Sequence, residues 1–248
     1  MPRRARKRGA LDIYHVICRG IGKQILFEEE ADCRYYLELL QQAKESFPCE
    51  IYAYCLMENH IHLLLYIPRD LDRFVKSVSG RYAMYFNRKY DRCGHVFQDR
   101  FRSEPIENGG YLLSVVRYIH NNPEAAGICP REQYPWSSWQ EYVGTAVLID
   151  AGNVLAALGG REGFLAFGRA DGSPAPGPAD PPSGPRMPDH EARRIMQEVL
   201  CAESPTRLQS LKKAERDEFI RILRKRGISV RQLERLSGIS RGIIQEIK

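Results

Sequence analysis

His60 and His62 are separated by one residue in Met57-Glu58-Asn59-His60-Ile61-His62-Leu63-Leu64-Leu65, a run that otherwise reads as a buried strand. Successive side chains on a strand leave opposite faces, so the two imidazoles share one face while Ile61, Leu63 and Leu65 fill the other. Two imidazoles about 7 Å apart along a rigid strand can hold one divalent metal ion. A hydrogen-bonded pair of core histidines is the alternative, and the spacing alone does not separate the two. Further polar side chains lie in Tyr111-Leu112-Leu113-Ser114-Val115-Val116-Arg117-Tyr118-Ile119-His120-Asn121-Asn122-Pro123. Leu112, Val115, Val116 and Ile119 form an inner stripe, and Tyr118 and Asn122, four residues apart, are neighbours on one helix face. A phenol and an amide aimed at two histidines make chemical sense if Asn122 completes a metal site and Tyr118 attacks a phosphate bound there. A helical tyrosine that only packs is the plainer reading.

The elements that would position these groups follow from periodicity. Ile13 to Arg19 alternates as a strand, and Gly20 and Gly22 turn the chain. Glu28 to Phe47 has helical spacing, and Pro48 stops it. Glu50 to Leu56 is a second strand, returning through Glu58-Asn59 into a neighbour over His60 to Ile67. Asp70 or Asp72 caps a helix to about Tyr90, with Leu71, Phe74, Val78, Tyr82 and Phe86 inward. His95 to Ile106 is extended, and its alternating His95, Gln98, Arg100 and Arg102 suit either a strand-binding groove or a solvated sheet face. Asn108 caps the helix that carries Tyr118, which Pro123 is expected to halt near Asn121. Strands interrupted by helices, with short returns, predict an α+β fold, a ferredoxin-like antiparallel sheet with helices on one side. Val147 to Phe167 adds one or two short helices. Of the other residues near the phenol, His120 and Asn121 could tune it, and Trp136 and Trp139 could stack on bases or pack.

Composition sets the outer limits. No run of eighteen apolar residues occurs, and the basic start is followed by no apolar stretch, so a cytoplasmic protein without a membrane partner is expected. The seven cysteines are scattered with no CxxC pair, which argues against a disulfide framework or a zinc ribbon and for reduced, mostly buried thiols. The net charge is +6. Arg3, Arg4, Arg6, Lys7 and Arg8 form a basic arm over residues 1–12, and a second concentration runs from Arg207 to Arg241. Basic surface at both ends suits nucleic acid, and solvated tails are the bland alternative.

A Pro/Gly/Ala/Ser stretch at 172–188 holds seven of the fifteen prolines and reads as a linker. It separates a domain over 13–171 from a small all-α unit over 189–248. There Ser229 to Ser237, a turn at Gly238 and a second helix capped by Ser240 have helix-turn-helix spacing, with Arg241, Gln245 and Lys248 outward to meet phosphates or base edges. Glu234 occupies a position where such motifs usually carry a small residue. A helical hairpin for packing or dimerisation is the alternative.

Tyr14-His15-Val16 with Arg19-Gly20, Tyr54-Cys55-Leu56-Met57 with Asn59-His60-Ile61-His62-Leu63-Leu64, Tyr82-Ala83 with Phe86-Asn87-Arg88, Gly94-His95-Val96-Phe97-Gln98 with Arg100-Phe101, Arg117-Tyr118-Ile119-His120 with Asn122-Pro123, and Pro135-Trp136-Ser137-Ser138 occur in that order. In these motifs the stretch Tyr14 to Tyr142 resembles the single-tyrosine HUH transposases, within them the REP-associated tyrosine transposase branch. The resemblance implies a nuclease domain that cuts and rejoins single-stranded DNA, often beside a hairpin. It implies Mg²⁺ or Mn²⁺ on His60 and His62 with Asn122 as third ligand, and a covalent bond from Tyr118 to the 5′ phosphate at the nick. Imidazole ligands alone would also suit zinc. The resemblance implies a tyrosine that serves either its own subunit or a partner, which leaves a monomer and a homodimer both open. The alternative from another class is a non-catalytic DNA-binding regulator derived from such a transposase.

Overall fold

The computed structural model describes residues 9–98, 100–169 and 189–247. The basic residues Arg3, Arg4, Arg6, Lys7 and Arg8, the 172–188 segment and Lys248 lie outside them. Four strands form one antiparallel sheet in the order β2-β3-β1-β4: β1 (Ile13–Arg19), β2 (Glu50–Met57), β3 (His60–Tyr66) and β4 (Arg102–Pro105). The β2–β3 connection is the two-residue return Glu58-Asn59, and β1 pairs β3 in a register that sets Arg19 opposite His60 and Ile17 opposite His62. That register divides the side chains into two faces. Tyr14, Val16, Cys18, Ile61, Leu63 and Leu65 are buried on one, and His15, Ile17 and His62 on the other.

On the first face pack α1 (Glu30–Ser46) and α2 (Leu71–Lys89). Buried Asp32 ties them together: it accepts from the Glu28 and Glu29 amides at the start of α1 and from the Tyr90 hydroxyl (2.6 Å) beyond the end of α2. A carboxylate at a helix N-terminus offsets unpaired N–H groups and the positive end of the helix dipole. The inward face of α2 is Phe74, Val75, Val78, Tyr82 and Phe86.

The expectation of helices on one side describes α1 and α2, whereas α3 (Gly109–Ala125) lies over the opposite face, against β2 and β3. This face needs a cover because Ala53, Cys55 and Met57 on β2 are buried there as well. Asn108 caps α3 by accepting the Tyr111 amide at 2.8 Å. The helix does not stop near Asn121 but runs through Pro123. Pro123 removes the N–H that would pair with the Ile119 carbonyl, and the Asn122 side-chain amide donates to that carbonyl instead at 3.4 Å.

The segment 95–106 is not one strand. Only Arg102–Pro105 pairs regularly with β1, while Phe97 bridges Gly20. After α3, α4 (Trp139–Val143), α5 (Gly152–Leu158) and α6 (Arg161–Arg169) complete the main core, in which Trp139, Tyr142, Val154 and Phe164 are buried. Among the described residues no helix is long and apolar enough to cross a membrane. No cysteine there forms a disulfide; Cys18, Cys33 and Cys55 are buried, but Cys93 and Cys201 are exposed.

Helices α7 (Asp189–Leu200), α8 (Lys213–Lys225), α9 (Val230–Ser237) and α10 (Arg241–Glu246) surround a second core containing Met196, Leu208, Ile220, Leu223, Leu233, Leu236 and Ile244. Ser229 and Gln232 form a capping box at the start of α9, and Gly238 ends it at φ +72°. Ser240 is the N-cap residue of α10 but makes no side-chain cap. The second unit docks on the first: Ile25 is buried in its core, and the Ile25 amide donates to the Arg235 carbonyl at 3.3 Å. Arg193 lies 3.0 Å from Glu28 and 3.1 Å from Glu58. Glu234 stands against Gly22, so its bulk is used between the units.

Candidate active site

Tyr118, His60, His62 and Asn122 come together from β3 and α3. The rings of His60 and His62 are 4.9 Å apart centroid to centroid and nearly perpendicular. Tyr118, half-buried, sets its ring edge-on to His62 at 5.5 Å. His60 Nδ1 lies 2.7 Å from Asn59 Oδ1.

A third histidine completes the cluster. His15, on β1, places Nε2 2.9 Å from His62 Nδ1, with the rings stacked at 5.1 Å, and is itself edge-on to Tyr118 at 5.8 Å. Sequence reasoning passed over its role. His15 sits two residues along from the partner of His62, a diagonal pair across antiparallel strands, and only the strand register brings it there. The signal available was the alternation of β1, which puts His15, Ile17 and Arg19 on one face.

These contacts orient the donor atoms. The Asn122 amide nitrogen donates to the carbonyls of Tyr118 (2.8 Å) and Ile119 (3.4 Å). That leaves the amide oxygen for His62, whose charged form the Asn122 side chain favours. Because His62 Nδ1 faces His15, Nε2 is the ring nitrogen left on the Asn122 side. Asn122 Oδ1 and His62 Nε2 are thus adjacent, with His60 alongside, and these neutral oxygen and nitrogen donors fit a divalent cation. Among the described residues no three His, Cys, Asp or Glu side chains are placed to hold one. Burial, with His60, His15 and Arg19 adding repulsion, pushes the His62 pKa well below its ordinary value, and burial lowers that of His15 to about 4. Both rings are therefore neutral near pH 7, the form that binds metal.

The other residues singled out fall elsewhere. His120 does not reach the phenol: it is buried among Trp139, Tyr142 and Phe164, with Nε2 2.8 Å from Ser138 Oγ. Asn121 accepts from Arg131. Trp139 is core, and Trp136 lies under Arg34. His95, Gln98, Arg100 and Arg102 are all exposed but do not form one row. Arg102 pairs opposite Ile17 and so shares the histidine face, Gln98 and Arg100 border a cavity beside α2, and His95 borders neither. Arg241 and Gln245 are exposed on α10.

Residues 11–122, which hold every side chain of this cluster, match the family model described as "Transposase IS200 like". This part of the chain is thus similar to IS200-like transposases. IS200-like transposases are DNA-cleaving enzymes, and the cluster lies within the matched residues. Over 155 residues the chain is 25% identical to a protein of Haemophilus influenzae named "Putative REP-associated tyrosine transposase", covering 57% of this chain and 86% of that relative. A solved structure of a REP-associated tyrosine transposase bound to a REP hairpin superposes with a TM-score of 0.52 at 17% identity, over 61% of this chain and 90% of its own. That likeness is one of fold: an antiparallel sheet carrying helices.

Proposed function

We propose that this IS200-like transposase domain nicks and rejoins single-stranded DNA through a covalent 5′-phosphotyrosine on Tyr118, next to a hairpin of the REP kind. The observation that carries the reading is the edge-on approach of the Tyr118 ring to His62, with Asn122 one helical turn further on. In the forward step the Tyr118 oxygen attacks phosphorus. A new O–P bond forms, the P–O3′ bond breaks, the phenol proton passes to solvent, and the departing 3′ oxygen takes up a proton. The reverse attack by a 3′ hydroxyl restores the phenol without an outside energy source.

A free phenol has a pKa of about 10, so little is ionised at neutral pH. Mg²⁺ or Mn²⁺ held by His60, His62 and Asn122 would supply a Lewis acid beside the phosphate. His15 holds His62 in place for that role, as partners of metal-bound histidines do. Arg102, Gln98, Arg100 and His95 contribute surface for the strand, and Arg3, Arg4, Arg6, Lys7 and Arg8 add a basic arm for the phosphates. On the docked helical unit, Arg241 and Gln245 are placed to meet duplex DNA.

The test is a denaturing gel of the full chain mixed with a random pool of single-stranded oligonucleotides and Mn²⁺. A protein–DNA adduct whose DNA is joined through a 5′ phosphate supports the proposal, and sequencing it gives the cut site. DNA binding with no nicking would favour the regulator instead. Free 5′ ends without adduct would mean hydrolysis with no covalent step.

A further inference from the structure

The two-residue return Glu58-Asn59 leads directly into His60, so whatever fixes that return fixes the first of the proposed metal ligands. Asn59 touches the ring itself, with Oδ1 2.7 Å from His60 Nδ1. An amide oxygen only accepts, so Nδ1 carries the proton. A neutral ring then keeps its lone pair on Nε2 and can bind a cation there. A loosened return would let the ring exchange tautomers and lose that preparation.

Three contacts hold the return from outside its own hairpin. The Gly20 amide donates to the Asn59 carbonyl at 2.9 Å, and the Leu26 amide donates to the Glu58 carbonyl at 2.7 Å. The third comes from the second unit: Arg193 on α7 donates through Nη2 to Glu58 Oε1 at 3.1 Å. Nη1 of the same guanidinium donates to the Glu28 carbonyl at 3.2 Å and lies 3.0 Å from the Glu28 carboxylate. One planar fork thus joins the segment before α1 to the return before β3, which a single ammonium cannot do as well. The fork is itself anchored. Asp189, one turn back along α7, accepts from Arg235 Nε at 2.6 Å and from Gln232 Nε2 at 3.3 Å, tying that helix to α9. The Arg193 side chain is 16% exposed and that of Glu58 44%. A pair this open to water contributes at most about 1 kcal/mol to stability. Holding the units together falls instead to the buried Ile25 contact, and the pair acts on the orientation of the return.

We infer that Arg193 is a positioning residue for the candidate active site: from the second unit it holds the Glu58-Asn59 return so that Asn59 keeps His60 protonated on Nδ1 alone. Arg193 lies beyond residues 11–122, so this support comes from a part of the chain outside the family match. The helical unit therefore does more than carry a DNA-facing helix. It completes the setting of a histidine on β3. The link from that setting to metal binding rests on the nickase reading above.

The test uses the full chain. Long-range proton–nitrogen correlation spectra report the tautomer of His60, whose signals are those lost in His60→Ala, and they need neither metal nor DNA. Wild type should carry the proton on Nδ1 alone. Arg193→Ala should shift both ring nitrogens toward a mixture of tautomers. It should also weaken Mn²⁺ binding about tenfold in calorimetry, the low end of the cost of losing an outer partner of a metal ligand. Arg193→Lys, which keeps a cation beside Glu28, should move both readouts in the same direction and serves if the alanine variant does not fold. Introduced into Glu58→Ala, either change should have no further effect. A wild-type ring that is already mixed overturns the inference. So do variants whose His60 nitrogens and Mn²⁺ affinity match wild type while only the unfolding midpoint falls, the pattern of a merely structural contact. An effect of full size in the Glu58→Ala background overturns it too, because Arg193 would then not act through the return. A wild-type chain that binds no Mn²⁺ and forms no adduct overturns the nickase reading, and the tautomer spectra still decide the role of Arg193.

Discussion

His15 Nε2 and His62 Nδ1 meet at 2.9 Å beneath the Tyr118 ring, joining β1 to the proposed metal-binding strand through two imidazoles. When Nε2 of His62 binds a cation, Nδ1 must carry the proton and donate to His15. Without a cation, Nε2 can keep the proton and turn it toward the Asn122 amide oxygen, and the direction of the His15 bond reverses. The two arrangements differ only in where protons sit, so His15 lets His62 accept metal without moving.

Replacing His15 should therefore weaken metal binding and leave the fold in place. His15→Leu is expected to lower Mn²⁺ affinity about ten- to a hundredfold, the usual cost of losing such a partner. Titration calorimetry measures it, and an unchanged affinity would remove His15 from the site.

Tyr118→Phe should bind the adduct-derived oligonucleotide about as well as wild type and form no covalent product. His60→Ala should lose cleavage while keeping its circular dichroism spectrum. An adduct from the phenylalanine variant would show that another residue attacks the phosphate.

His120 makes the fold acid-sensitive. Burial, helped by the charge of Arg131, lowers its pKa to about 3 from an ordinary 6.5. Between those values the unfolded chain takes up a proton that the folded chain refuses. This contribution is complete above pH 6.5 and is lost as pH falls toward 3, with a slope of up to about 1.4 kcal/mol per pH unit. Urea unfolding at pH 7.5 and pH 5 should show a larger loss for wild type than for His120→Phe, which cannot be protonated. Equal losses would mean that His120 is not the source.

Gly238→Ala should loosen the junction between the two units. Gly238 has φ +72°, and an added Cβ would stand 2.4 Å from both Arg92 Nη2 and Gln209 Nε2. Neither side chain can easily withdraw: Arg92 is buried and donates to Gln24 at 2.7 Å, and Gln209 donates to the Ser237 carbonyl at 2.7 Å. A loss of at least ~1 kcal/mol is expected from backbone strain alone, read as a lower unfolding midpoint. No change in midpoint would show that the junction tolerates the methyl group.

Much of this arrangement was legible in the residues because it depends on local period. The His60–His62 spacing put both rings on one face, and the Tyr118–Asn122 spacing put both on one side of a helix. What escaped depends on relations between distant segments. His15 joins the cluster through the β1–β3 register, which alternation within either strand does not reveal. The irregular pairing opposite β1, with two more residues from Phe97 to Arg102 than from Ile17 to Gly20, is invisible in a segment that reads as uniformly extended. Pro123 was read as a stop because its missing N–H is a local fact, while the Asn122 side chain that serves the Ile119 carbonyl is a feature of the folded helix. His120 looked like a neighbour of the phenol because adjacency in sequence hides the 100° turn between successive helical residues.

The burial of Ile25 among the side chains of α7 to α9 bears on how the chain can be divided. A fragment starting at residue 189 would carry an empty socket where that isoleucine belongs, and one ending at residue 171 would hold the same side chain out to water. Truncation at the proline-rich stretch would thus expose complementary greasy surfaces on both pieces. Mixing the separated pieces should then cover both surfaces again and restore what neither keeps alone.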